Sequence, residues 1–202
     1  MATTLQQQFG NLDIYVFDLL LRGLIAPGMR VLDAGCGGGR NIQYLLREGY
    51  QVFGIDRSEE AIAAVRAMAA QLAPHLPPAN FQVGEVDAMP FDEGFADVVL
   101  CHSVLHFARD DEHFAGMLRE LWRVLRPGGL LFVRLGSRIG QQFEPLGGGR
   151  YRLPSGVEWY LVDEAQLHAW TADLGGELVD RVKTTLITGL RSMTTWVVRK
   201  PL

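Results

Sequence analysis

The order of segments along this chain predicts an α/β fold. It should hold a mostly parallel sheet of seven strands, the last of them antiparallel, with helices on both faces. Three observations carry that reading. Short apolar strand-like segments alternate with helix-like ones through residue 133, the mark of parallel strands joined by crossover helices. The run Ala96–Leu100 is apolar throughout, as expected of a strand buried on both faces. The last two strand-like segments have no helix between them, so they should pair antiparallel.

Taken in order, Leu12–Ile25 is apolar-rich and reads as a helix ended by Pro27-Gly28. Arg30–Asp33 is a short strand running into a glycine cluster, and Arg40–Glu48 is a helix stopped by Gly49. Gln51–Ile55 is the second strand. Ser58 is a good N-cap for an alanine-rich helix reaching Leu72, with Glu59 and Glu60 in the first turn, where the helix dipole favours negative charge. Phe81–Val83 and Ala96–Leu100 are the third and fourth strands. Phe114, Met117, Leu118, Leu121 and Leu125 repeat at helical spacing until Pro127-Gly128-Gly129. Leu130–Val133 is the fifth strand. Residues 136–156 lack periodicity and read as a long loop or loose hairpin. Asp163–Leu174 is a helix, and Glu177–Thr185 and Met193–Arg199 are the last two strands.

A length of 202 residues suits one domain, at about 150 residues per domain. Apolar residues at 48% and charged residues at 21% exclude a disordered chain. The net charge of −4 argues against a generally basic nucleic-acid binder. Cys36 and Cys101 are too few for a disulfide framework and point to a reducing compartment. No apolar run reaches the 18 or so residues of a membrane span, and Met1–Asn11 is too polar for a secretory leader. A cytoplasmic protein with no membrane contact, monomeric or homodimeric, is the expectation. Arg134, Arg138, Arg150 and Arg152 cluster against Glu144 alone. Guanidinium forks bind carboxylate or phosphate, so this segment suits an anionic small molecule, although a solvated loop would look the same.

The segment from Val31 to Asn41 (VLDAGCGGGRN) carries the chemistry. A strand, a glycine turn and a helix start together present free backbone N–H groups to a ligand. A dinucleotide fingerprint needs glycine at the first, third and sixth positions of the turn. Gly35 and Gly37 supply the first two, but Arg40 holds the sixth. Asp33 would repel a pyrophosphate and attract an amino group or a sulfonium. The turn therefore suits a cationic, phosphate-free nucleoside better than NAD. Asp56 follows the glycines at the roughly 20-residue distance of a ribose-binding acid.

These residues resemble the class I S-adenosylmethionine-dependent methyltransferases, a Rossmann-like fold. Asp33–Gly39 looks like their first motif and Gly54-Ile55-Asp56 like the acid of their second strand. Gly84–Phe91 (GEVDAMPF) looks like the adenine-edge motif, while Phe95–Val99 and Leu121–Gly129 match the fourth strand and the turn into the fifth. The resemblance implies S-adenosylmethionine as cofactor, S-adenosylhomocysteine as product and a small-molecule methyl acceptor. It implies that Asp33, Gly35, Cys36, Gly37 and Asn41 hold the methionine end, Asp56 and Arg57 the ribose, and Glu85 and Val86 the adenine edge, with Asp87 a competing acid. Cys101, His102 and His106 would line the methyl side. No Asn-Pro-Pro-Tyr-type segment follows the fourth strand, which argues against a nucleic-acid base as acceptor. Arg40-Asn41 and the short chain resemble the small-molecule branch that includes tellurite- and thiol-modifying enzymes.

In open α/β sheets the carboxyl ends of the strands face the ligand crevice. His106, or else His102, could there act as base; either could instead be a packed wall residue. No further ligand accompanies them at metal-binding spacing, so no metal is expected. Tyr15, Arg138, Arg152 and Trp159 are the candidate acceptor contacts. The expected organisation is one methyltransferase domain: a helical cap (1–27), a cofactor core (28–134), a substrate-side loop (135–160), and a last helix with two strands (161–202). Two other readings remain: a cofactor-binding subunit without turnover, and an NAD-linked oxidoreductase.

Overall fold

Strand β1 (Arg30–Ala34) runs through the middle of the main sheet, parallel to β2 (Gln51–Asp56) on one side and to β4 (Ala96–His102) on the other. A computed structural model describes residues 4–202 of the chain; residues 1–3 of the expected N-terminal cap lie outside it. Beyond β2 lies β3 (Phe81–Val83), and beyond β4 lies β5 (Leu125–Ser137), both still parallel. Strand β11 (Arg191–Arg199) is antiparallel to β5, and β10 (Lys183–Ile187) is antiparallel to β11 at the sheet edge. The order is β10-β11-β5-β4-β1-β2-β3. Because β1 is flanked by β2 and β4, successive connections leave it in opposite directions, and a crevice opens over its carboxyl end.

The sheet has eight strands rather than seven. The segment expected as one strand from Glu177 breaks into β9 (Glu177–Leu178) and β10, and β9 pairs with β11. Between them Asp180 turns outward to take two hydrogen bonds from the Arg22 guanidinium, at 2.6 and 3.2 Å. Strand β5 starts at Leu125, five residues before its expected start, and Leu125 is already paired with Ala96.

The helical expectation at the N-terminus is corrected too. The one helix within residues 12–25 is shorter than expected, α2 (Ile14–Leu21), capped by Asp13, whose Oδ1 accepts from the Tyr15 N–H at 2.9 Å, and a separate short helix precedes it, α1 (Leu5–Phe9), closing at Gly10. After the glycine cluster only α3 (Gln43–Arg47) is α-helical, since residues 39–42 are used up in tight turns. Helix α4 (Glu59–Leu72) is capped by Ser58 as its sequence predicts, and α5 (Asp111–Val124) and α6 (Glu164–Asp173) are capped by Asp110 and Asp163.

The helices cover both faces of the sheet. On one face Phe114, Leu118 and Leu121 of α5 pack with Leu131, Val133 and Trp196. On the other, Val16, Leu19, Leu45 and Ile62 pack with Leu130 and Phe132. The alternation of Leu130 to Val133 between the two layers is the period-2 geometry of a strand buried on both sides.

Residues 136–160 are more than a long loop or loose hairpin. They hold a small antiparallel sheet of β6 (Glu144–Gly147), β7 (Arg150–Arg152) and β8 (Glu158–Tyr160). Its outward cross-strand pairs are charged, Glu144 with Arg152 and Arg152 with Glu158. Such pairs stabilise a sheet without any apolar alternation, which hides the strands from a hydropathy pattern.

Trp196 is fully buried, and its Nε1–H donates to the Thr171 hydroxyl at 3.0 Å, tying β11 to α6. Replacing it by alanine removes a large, fully buried side chain and one of the two hydrogen bonds of that hydroxyl, which still donates to Leu167 O. Trp196→Ala should lower unfolding stability by about 3–5 kcal/mol, read as a lower urea midpoint at unchanged slope, whereas Trp196→Phe should lose much less.

Candidate functional site

The crevice over β1 holds a cavity of about 430 Å³, within the roughly 300–1,000 Å³ range of small-molecule sites. Its floor is the turn after β1. Gly35 sits at φ 80, and a Cβ there would lie 2.3 Å from Val104 Cγ2, so no side chain fits. Gly37, at φ 48, faces open space instead. The turn is clamped to the end of β2: the Gly35 and Cys36 N–H groups donate to Ile55 O, at 2.8 and 3.0 Å. The Gly37 N–H donates to Asp56 Oδ2 at 2.8 Å, and the Ser58 N–H to Asp56 Oδ1 at 2.9 Å. Each Asp56 oxygen therefore keeps one lone-pair site, which matches a pair of vicinal hydroxyls.

Gly35, Cys36, Gly37, Asn41, Asp56 and Arg57 all line the cavity, and Glu85, Val86 and Asp87 form another wall, with Glu85 exposed and Val86 buried. The backbone from Gly84 to Asp87 and the Glu85 carboxylate can read the edge of a planar ring. Asp87 is already engaged, 3.3 Å from His113 Nε2. His113, Val104, Phe107 and Met117 complete the lining and were not singled out by the sequence. His113 and Met117 lie four apart on the first turns of α5, where the apolar repeat that revealed the helix begins only at Phe114.

Asp33 and Cys101 do not reach the wall. Both lie beneath the turn, at 1% and 0% exposure. Neither Asp33 carboxyl oxygen has a hydrogen-bond partner among the described residues. Burial, and then the charge of Asp56, push the Asp33 carboxyl up to about 7, with Arg40 partly opposing them. A buried, unpartnered carboxyl under a glycine cradle fits a ligand that brings positive charge over that cradle.

The two histidines separate. His102, the last residue of β4, lines the cavity, and its Nε2 lies 3.1 Å from Asp13 Oδ2. His106 does not line it. It is 2% exposed, its Nδ1 accepts from the Gly136 N–H at 3.1 Å, and its ring stacks on Trp159 with centroids 4.1 Å apart. Burial, followed by the charge of His102, depresses its pKa to about 4. The expectation that His106 serves as base is therefore corrected: it is a neutral packing group. Trp159, spent on that stack, is absent from the cavity wall, as are Tyr15, Arg138 and Arg152. Arg138 is paired with Asp163, and Arg152 with Glu144 and Glu158. The arginines expected to take an anion are thus neutralised by carboxylates of the neighbouring strands and of the α6 cap.

The bend that carries His102 into the cavity is strained. Ser103 holds φ 62, the left-handed region that non-glycine residues seldom adopt, with its N–H donating to Arg134 O at 2.7 Å. Such strain persists where the surrounding structure overdetermines it, typically at a working edge.

Comparison with known proteins agrees with this geometry. The family described as "Methyltransferase domain" matches residues 32–133. An uncharacterized methyltransferase of Synechocystis is 33% identical over 106 residues, covering 52% of this chain and 46% of the relative. The ubiquinone biosynthesis O-methyltransferase of Xanthomonas euvesicatoria is 30% identical over 160 residues, covering 76% of this chain and 64% of the relative. The chain thus spans about half to two-thirds of these curated relatives. A SAM-dependent methyltransferase structure from Methanosarcina mazei superposes with a TM-score of 0.73 at 22% identity, over 91% of this chain and 97% of that one, a likeness of fold.

The Asp33 environment yields a pH signature. Between the ordinary value of 3.8 and about 7 the unfolded chain carries this carboxylate ionised while the folded chain keeps it protonated. The folded state then binds the extra proton, so its stability falls as pH rises through that window and levels off above it. Asp33→Asn removes the titration. Its stability relative to the parent should climb from about pH 4 to pH 7 by on the order of 3–4 kcal/mol. The constant cost of burying an amide does not vary with pH, so the slope is the readout; parallel curves for the two proteins would refute the assignment.

Proposed function

The chain belongs to the methyltransferase domain family, and on that premise we propose that it binds S-adenosylmethionine in the cavity over β1 and transfers its methyl group to a small-molecule acceptor. The observation that carries the proposal is the clamp of Asp56 onto the glycine turn. It places a two-hydroxyl acceptor, open space above Gly37 and a buried carboxyl beneath them in one crevice. Asp56 would take the ribose hydroxyls, Glu85 and the Val86 N–H the adenine edge, and the turn from Gly35 to Gly37 the methionine end. Asp33 would answer the positive charge from below.

The sulfonium is an activated leaving group when bound, so the protein's main contribution is alignment. Holding acceptor, methyl carbon and sulfur in line can supply about 7–11 kcal/mol of barrier reduction. The acceptor would enter on the His102–Ser103–Val104 side, where the lining residue His102 meets Asp13. Two free, buried cysteines suit the reducing environment of a cytoplasm. Among the described residues no helix is long and apolar enough to cross a membrane.

Thermal unfolding with S-adenosylhomocysteine, and separately with NAD, tests the reading. At 100 times its dissociation constant a ligand adds about 2.7 kcal/mol, a rise of about 5–10 °C for a chain this size. The rise should appear with S-adenosylhomocysteine alone. Asp56→Ala should lose it while costing the free protein about 1–3 kcal/mol for the two N–H groups left behind. A rise with NAD would restore the oxidoreductase reading. Binding without methylated product from any acceptor would favour the subunit without turnover.

A further inference from the structure

We propose that Asp13 and His102 form a proton-accepting pair on the acceptor side of the cavity, and that the acceptor class is a small molecule whose nucleophile is a protonated hydroxyl. The inference rests on the methyl-transfer reading above and specifies its substrate.

The pair is built from segments 89 residues apart in sequence. Every heteroatom of Asp13 is held. Its N–H donates to Asn41 Oδ1 at 3.2 Å, and its Oδ1 accepts from the Tyr15 N–H. Its Oδ2 lies 3.1 Å from His102 Nε2, 3.4 Å from Arg134 Nε and 3.8 Å from the Arg40 guanidinium. Arg134 is fixed in turn by the Tyr15 ring, 4.7 Å from its guanidinium carbon, and by the Thr195 hydroxyl at 2.9 Å. Burial pushes the Asp13 carboxyl up, but hydrogen bonds from His102 and Tyr15 and the charges of His102 and Arg134 outweigh it, so the group lies below its usual range. An ionised carboxylate only accepts. The His102 hydrogen therefore sits on Nε2 and the lone pair on Nδ1, in a residue that lines the cavity.

Capping α2 does not require this arrangement. Asparagine caps a helix as well as aspartate does, and a buried carboxylate is costly unless its charge is used. What the carboxylate adds is its pairing with Arg134 and the orientation of His102, the latter the hallmark of a base held by a third group. A thiolate or a neutral amine needs no base in methyl transfer; a hydroxyl does. In the step inferred here the hydroxyl proton passes to His102 Nδ1. The oxygen lone pair forms the bond to the methyl carbon, and the C–S bonding pair stays on sulfur, giving S-adenosylhomocysteine and a methyl ether. The imidazolium is held against Asp13 until it returns its proton to water. His102 is thus the catalytic residue and Asp13 its positioning residue. His106 faces the same neighbourhood but is turned away, its Nδ1 occupied by Gly136.

The test uses the whole chain and two probe acceptors with S-adenosylmethionine: catechol, protonated near neutral pH, and thiophenol, ionised there. His102→Gln should lower the catechol rate relative to the thiophenol rate by about 10²-fold or more, with S-adenosylhomocysteine still bound by calorimetry. Asp13→Asn, which keeps the helix cap, should move the same ratio in the same direction by a smaller factor. Nitrogen NMR of the histidines should show His102 as the Nε2–H tautomer in the parent and lose that preference in Asp13→Asn. Equal losses on both probes, or an Nδ1–H tautomer in the parent, would overturn the proposal, and the tautomer decides alone if neither probe turns over. Absence of S-adenosylhomocysteine binding to the parent would instead remove the methyl-transfer reading, and this inference with it.

Discussion

The Asp56 carboxylate, by accepting from the Gly37 N–H at 2.8 Å, fastens the turn after β1 to the end of β2, and the arrangement of the crevice follows from that bond. Two further bonds to Ile55 O take up the Gly35 and Cys36 N–H groups, so the turn's first three N–H groups from Gly35 are all spent on holding its shape. Gly35 must then pass within van der Waals contact of Val104, which brings the strained end of β4 up to the turn. One acid thus does two jobs: it sets the shape of the cradle and offers the lone pairs that the cradle's ligand needs.

That economy has an electrostatic consequence. Asp56 and Asp33 repel one another across the turn, and Asp33 has no hydrogen-bond partner to relieve it. A buried carboxyl beside a second acid is therefore unfavourable while no positive charge lies over the turn. Functional sites commonly carry such local destabilisation, offset elsewhere by packing. Here the offset is visible in the two apolar layers, where α5 and α6 cover one face of the sheet and α2, α3 and α4 the other.

The N-terminal helices are more than a cover. Helix α1 is held by the Arg47 guanidinium on the carbonyls of Gln7 and Gln8 and by the Phe9 ring against Tyr44 and Phe17. Helix α2 is held by Arg22 on Asp180 and by Tyr15 on Thr185. These contacts bring Asp13 to His102 and Arg134, so the His102 side of the crevice is backed by a segment that precedes β1. The arginine-bearing sheet of β6, β7 and β8 has the other role. It braces the wall from behind, through Trp159 on His106 and Tyr160 on Phe114.

Local chemistry alone made much of this legible. The glycines of the turn, Asp56 at its distance, the Ser58 cap and the apolar run of β4 each follow from short-range rules of backbone freedom, capping and burial. Those rules place β1 to β5 and most of the cavity wall. What the tertiary structure alone decided are the pairings between distant segments. His102 and His106 are four residues apart and look alike in sequence, yet one meets Asp13 and the cavity while the other meets Gly136 and Trp159. Arg138 and Arg152 look like anion binders until their carboxylate partners are seen. A side chain's role depends on which polar groups share its surroundings, and that is set by how the sheet orders its strands rather than by spacing along the chain.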